Sequence, residues 1–218
     1  MNIAKRELLY FDELIKSRFI EMFSSCDLNE QRDEWVKLSE VSTIFTGTTP
    51  DTSKPAYWGG DVLWITPAEI KNDSFVIFST ERKITEEGRK SKSLSIMPKG
   101  TVLLSTRAPI GKVAIAGNPM TCNQGFKNFL CGDRLNNVFL YYLLRFNNEY
   151  LNSIGTGTTF KEVSRSKIAN VRIPVPSIDL QNAFASFVEK VDKLKFNVQE
   201  RIRLYQELLD KKMDEYFD

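Results

Sequence analysis

The sequence predicts an α+β fold. A globular domain with a twisted, mainly antiparallel sheet is flanked by a short N-terminal helix and a long C-terminal coiled-coil helix. Three observations predict it. All 11 Gly and all 8 Pro fall within residues 35–176, where short apolar runs alternate with turn residues. Residues 2–24 contain neither, and Leu8, Phe11, Ile15, Phe19, Met22 and Phe23 follow helical spacing. From Ile178 onward Gly and Pro are again absent, and the apolar residues keep a helical period to the end.

In order, the first segment is an amphipathic helix over 2–24, about 33 Å long at 1.5 Å per residue. SCDLNEQRDE (25–34) is polar and reads as a linker. Ser39 is placed to cap a short helix carrying Val41, Ile44 and Phe45, with Gly47 as its stop. VLWI (62–65) is a short strand, and Thr66-Pro67 then starts a helical turn with Thr at the cap. TVLLST (101–106) and KVAIAG (112–117) are strands joined by a RAPIG turn, and FKNFLC (126–131) is a third. Residues 136–151 form a helix with Phe139, Leu140, Leu143, Leu144 and Tyr150 inward. VRIPVP (171–176) is an edge strand, because Pro cannot donate to a ladder. Trp35, Trp58 and Trp64 read as core. The chain thus divides into 1–24, 25–177 and 178–218.

The last segment carries a seam. Phe184, Phe187, Val191, Leu194, Val198, Ile202, Tyr205, Leu209, Met213 and Tyr216 step by three and four residues, as in a coiled coil. A rod of about 60 Å is too long for one such domain to cover, so much of the seam meets another helix. Shifting the chain by 194 residues aligns FDELIKSRFIEMF (11–23) with YQELLDKKMDEYF (205–217), with 4 identities in 13. That likeness suggests one unit of a tandem helix–domain–helix repeat.

Composition narrows the chemistry. There is no His, which removes Ser-His-Asp and Cys-His catalysis and the commonest zinc ligand. Cys26, Cys122 and Cys131 are odd in number and never C-x-x-C, so they read as buried reduced thiols. The 30 basic and 28 acidic residues leave a net charge of +2, so any basic surface is local. The N-terminus is charged and amphipathic, unlike a signal peptide, and no apolar run approaches the ~18 residues of a membrane span. These features read as a cytoplasmic protein with no membrane partner.

Gly111-Lys112 is followed by Val113, and Thr106 stands where the first Gly of a Walker loop belongs. Asn118-Pro119-Met120 lacks the second Pro and the aromatic of an amino-methyltransferase tetrapeptide. Pro50-Asp51 with Glu69-Ile70-Lys71 fits the loose P-D…E-x-K pattern of metal-dependent nucleases, so Asp51, Glu69 and Lys71 define one alternative function. Binding signals are stronger. Residues 81–112 carry eight basic and three acidic residues, and 155–172 carry four and one. Hydroxyls and cations of these stretches (Arg89, Lys92, Arg107, Lys112, Thr158, Thr159, Lys161, Arg165), with Thr48, Thr49, Lys71 and Lys127, suit phosphate contacts. The amides of Asn123 and Gln124 suit adenine edges.

GTTPDTSKPAYWGGDVLWITPAEI (47–70), GTVLLSTRAPIGKVAIAG (100–117) with NQGF (123–126), and TGTTFKEVSRSKIANVRIPVP (156–176) resemble the specificity subunits of type I restriction–modification systems. The resemblance implies a target-recognition domain that reads half of a bipartite site in double-stranded DNA. It also implies a spacer helix that holds modification (methyltransferase) subunits. S-adenosylmethionine and ATP then belong to the modification and motor/endonuclease subunits, and this chain binds neither and is not an enzyme. The family has two such domains in tandem, whereas this sequence has one. Motifs shared across a family are the least suited to confer sequence choice. Arg107, Asn123, Gln124 and Thr159 are therefore expected to shape loops or touch the backbone, with base readers in stretches such as 71–95. A two-fold homodimer through the seam, with helix 2–24 beside the partner's long helix, would restore two domains. A helical partner protein that reads no DNA is the remaining alternative.

Overall fold

The computed structural model of the protein describes residues 3–24, 26–107, 109–157 and 161–217. Its chain separates into two compact units, residues 26–181 and the terminal segments 1–25 with 182–218.

The elements of the terminal unit are helix α1, Ile3–Phe23, and the last helix, Ile178–Phe217. α1 runs antiparallel to the first part of that last helix. Asp12 pairs with Lys195 at 2.6 Å and Glu7 with Arg201 at 2.7 Å. Farther along, the Phe184 ring meets Phe19 and Phe23 edge-on, each at 5.4 Å between centroids. Ile15, Phe19 and Phe23 are buried, as the spacing predicts. The long helix buries Phe184, Val188, Val191 and Val198 and half-buries Lys195 and Ile202, a strict four–three alternation.

The stripe packed on α1 differs from that seam in two places. Leu194 is 50% exposed and Phe187 only half-buried, because the heptad passes through Val188 and Lys195 instead. Lys195 is tolerated there because its stem lies along the seam while its ammonium reaches Asp12. α1 covers the long helix of its own chain up to about Ile202. Beyond it Leu204, Tyr205, Leu208, Leu209 and Met213 are all more than half exposed.

In residues 26–181 the elements run β1 Val36–Lys37, α2 Leu38–Val41, β2 Ser42–Thr46, β3 Trp58–Ile65, β4 Val76–Ile77, β5 Lys83–Ile84 and α3 Glu86–Ser91. Then come β6 Val102–Thr106, β7 Ile110–Ala116, β8 Thr121–Cys122, β9 Lys127–Cys131, α4 Asn137–Phe146, α5 Asn148–Ser153, α6 Arg165–Ala169 and β10 Arg172–Ile173; the long helix is α7. A five-stranded sheet is ordered β2-β9-β6-β7-β4 and a three-stranded one β5-β3-β8, while β1 pairs with β10. Pairing is antiparallel except β4 with β7 and β3 with β8. The core between these sheets holds Ile65, Ile70, Met97, Leu103, Met120 and Phe126, all essentially buried.

Four local expectations change. Ile44 and Phe45 lie in β2, not a helix, since the β-branched and aromatic run STIFT finds a full antiparallel partner in β9. The predicted helix 136–151 is two helices that meet at Asn147, whose amide is turned to the chain at 26–28. Its Oδ1 accepts from Leu28 N at 2.8 Å and its Nδ2 donates to the Cys26 carbonyl at 2.9 Å, so this part of the polar segment is anchored rather than a free linker. Tyr150 is only half-buried, and Leu151 takes the inward place.

Candidate nucleic-acid interface

The stretches 47–51 and 121–125 meet on one edge of residues 26–181. Gly47 is required there because a Cβ would lie 1.9 Å from the Cys122 carbonyl oxygen. The Thr49 hydroxyl then donates to Gln124 Oε1 at 2.8 Å. The Thr48 carbonyl accepts from the Trp64 indole at 3.1 Å, and the Asp51 carbonyl from the Trp58 indole at 3.2 Å. Asn123 is spent on its own turn, its Oδ1 accepting from Gly125 N at 2.8 Å. Gln124 stays exposed, with its amide oriented by Thr49.

The second convergence is around Lys127. Its side chain is 8% exposed, and its ammonium contacts Thr106 Oγ1 at 3.3 Å and Glu162 Oε1 at 3.1 Å. Arg107 approaches the same carboxylate at 3.9 Å. Backbone bonds join Thr156 to Glu162, and Val163 N to the Thr106 carbonyl at the end of β6. Lys127 is thus a structural ion-pair residue and no surface contact. Lys112 is likewise committed, donating to the Pro67 carbonyl at 3.0 Å. Arg89 grips both Glu86 oxygens, at 2.7 and 2.6 Å, and the Leu94 carbonyl. The hydrogen bonds from Arg89 hold the Glu86 carboxyl below its usual range. Thr158 and Thr159 lie outside the described residues.

Lys71, Lys92 and Lys161 are exposed and make no side-chain hydrogen bond or ion pair among the described residues, so their charges are open to a ligand. Arg165 is exposed and only brushes the Ile44 carbonyl at 3.4 Å. Lys83, Lys99 and Lys167 share this state and were absent from the sequence-based set, although the charge balance of their stretches already counted them. A groove of about 390 Å³ lies beside Lys71, Lys112, Arg145 and Asn148, and no carboxylate lines it. Gly111, at φ +92°, turns the chain into this groove, where a Cβ would collide with Asn148 Oδ1.

The nuclease alternative fares differently. Asp51 Oδ1 accepts from the Ser53 hydroxyl at 2.7 Å and its amide at 3.0 Å, and these bonds hold its carboxyl below the usual range. Glu69 caps its own turn: Oε1 accepts from Thr66 N at 2.8 Å and Oε2 from Glu81 N at 2.7 Å. Both carboxylates serve loops, and among the described residues no cluster of metal-ligating groups forms. Cys26, Cys122 and Cys131 are thiols outside any disulfide, pushed up to about 11, 12 and 12 by burial. Among the described residues no helix is long and apolar enough to cross a membrane.

The comparisons with known proteins agree with this architecture. The chain is 39% identical over 200 residues to the type I restriction enzyme MjaIX specificity subunit of Methanocaldococcus jannaschii, covering 89% of this chain and 46% of that protein. It is 25% identical over 225 residues to the EcoR124I/EcoR124II specificity subunit of Escherichia coli, covering 100% and 53%. The crystal structure of the HsdS subunit from Thermoanaerobacter tengcongensis shares the fold, with a TM-score of 0.62 at 21% identity over 96% of this chain and 52% of that one. The chain therefore spans about half the length of the relatives it matches. Residues 32–206 match the family described as the type I restriction modification DNA specificity domain, and the chain belongs to that family.

Proposed function

We propose that residues 26–181 read one half-site of a bipartite sequence in double-stranded DNA, as the recognition part of a type I restriction–modification assembly. The observation that carries this reading is the set of exposed, uncommitted cations: Lys71, Lys83, Lys92, Lys99, Lys161 and Lys167. A chain with a net charge of only +2 that leaves these six lysines exposed and uncommitted offers local phosphate-binding charge. The motif residues Lys127, Glu162, Thr106 and Asn123 act as scaffold for the loops that display it. Methyl transfer and cleavage belong to partner subunits, which bring S-adenosylmethionine and ATP, and this chain contributes no catalytic group.

The helices are the partner-binding part of the reading. α1 covers the seam only to about Ile202, and Tyr205 and Leu209 continue the heptad with 63% and 62% exposure. A second copy related by a two-fold axis would cover them and supply the second half-site reader. Modification subunits would dock on the same helical unit.

Fluorescence anisotropy with random-sequence duplexes at several salt concentrations tests the DNA reading. Affinity should fall linearly on a log–log plot against salt, with a slope of about −0.9 per phosphate contacted. No binding at low salt, by the chain alone or with methyltransferase subunits, would refute it.

A further inference from the structure

Arg82 was counted among the basic residues of 81–112 but has no role in the scaffold described above. Its guanidinium carbon lies 3.6 Å from the centroid of the Trp58 ring and 5.4 Å from that of Trp64. The two indoles are set edge-to-face, 5.1 Å apart at 87°. Each is fixed by its own N–H, Trp58 to the Asp51 carbonyl and Trp64 to the Thr48 carbonyl. The Arg82 backbone is fixed too, its carbonyl accepting from Trp64 N at 3.3 Å and from the Thr80 hydroxyl at 2.6 Å. Yet the residue is exposed, and its guanidinium makes no hydrogen bond or ion pair among the described residues.

That combination is informative. Arg89, in the same stretch, spends its guanidinium on Glu86 and Leu94. Arg82 is held over an aromatic face at van der Waals distance while its N–H donors remain unspent. A phosphate contact needs charge and little orientation, so a flexible lysine serves for it. A group whose position is fixed in advance suits a target that demands two parallel hydrogen bonds. The platform also continues through Thr48 and Asp51 into the loop whose Thr49 orients the exposed Gln124.

We propose that Arg82, seated on Trp58, is a specificity-determining residue that recognises guanine. Its two N–H groups would donate to O6 and N7 in the major groove, the acceptor pair that only guanine presents there. The inference rests on the DNA-reading function proposed above and names one contact within it.

Selection of bound duplexes from a randomised pool, followed by sequencing, tests it. The full chain is used alone and with methyltransferase subunits, comparing wild type with Arg82→Ala, Arg82→Lys and Trp58→Ala. Wild type should enrich a motif containing guanine at a fixed position. Arg82→Lys keeps the charge but lacks the fork, and should lose preference at that position alone by about 5- to 140-fold, the equivalent of 1–3 kcal/mol. Arg82→Ala should do the same, and Trp58→Ala should weaken the preference at the same position. A wild-type motif retained in both Arg82 variants would overturn the assignment while leaving the function standing. Equal loss at all positions, with a smaller salt slope, would make Arg82 a phosphate contact and overturn it as well. A wild type that enriches no motif would overturn the function and the assignment together. Arg82→Lys preserves the cation over Trp58, so the test stands even where Arg82→Ala or Trp58→Ala unfolds.

Discussion

The buried ammonium of Lys127 lies 3.1 Å from Oε1 of Glu162, joining the start of β9 to a segment 35 residues further along the chain. The pair anchors Glu162 beside Thr106 of β6. Removing one partner leaves the other charge in a poor environment.

Glu162→Ala should therefore destabilise residues 26–181 by about 2–3 kcal/mol, less than the ~3–5 kcal/mol for a fully buried pair because Glu162 is 39% exposed. Lys127→Met combined with Glu162→Gln should cost less than Glu162→Ala alone. Urea denaturation of the three proteins checks this, and a double variant less stable than Glu162→Ala would contradict it.

Lys161→Ala and Arg165→Ala should each weaken binding to all duplexes alike and lower the magnitude of the salt slope by about 1. Lys127→Met should leave the slope unchanged, since its charge never reaches the surface. Unchanged affinity and slope in both surface variants would place the phosphate track elsewhere.

The helical unit makes its own prediction. Phe184 is fully buried against Phe19 and Phe23, so Phe184→Ala should cost about 3–5 kcal/mol. Leu194→Glu should be nearly neutral for the α1–α7 pair, because Leu194 is half exposed and off the seam. Thermal melts followed by circular dichroism separate the two. Leu208→Glu and Leu209→Glu alter exposed positions and should change the oligomeric state by light scattering while sparing the melt.

The thiols set an alkaline limit. Burial raises Cys122 and Cys131 from an ordinary 9.0 to about 12. The folded state thus favours the protonated thiol. The resulting stabilisation is fully present below pH 9 and is lost progressively as pH rises toward 12. Thiol titration at pH 8 should be slow for the folded chain and fast for all 3 cysteines in denaturant. Rapid reaction of Cys122 in the folded chain would contradict its burial.

Strands 102–106, 110–116 and 127–131 are legible because each carries a short apolar run (VLL, VAIA, FLC) close to turn residues, and α7 because nothing interrupts its period. Ile44 and Phe45 were misread because their spacing fits a helix as well as a strand. Only pairing with β9, some 85 residues away, decides between them. The two-residue strands β4 and β8 are too short to leave a pattern. Among the site residues, Lys71, Lys92 and Lys161 were legible as cations in basic stretches. The commitment of Lys127 to Glu162 and of Lys112 to Pro67 was not, since a sequence displays charge but not its partner. Leu194 and Phe187 entered the seam because either of two adjacent stripes satisfies three–four spacing, and packing against α1 selects the one through Val188 and Lys195.

We propose that this chain chooses the DNA sequence for its assembly. Methylation-motif sequencing of cells that carry the modification subunits, with and without this chain as their one specificity subunit, tests it most directly. A bipartite methylated motif should appear only when the chain is present, palindromic where two copies pair. A methylome unchanged by the chain would contradict it.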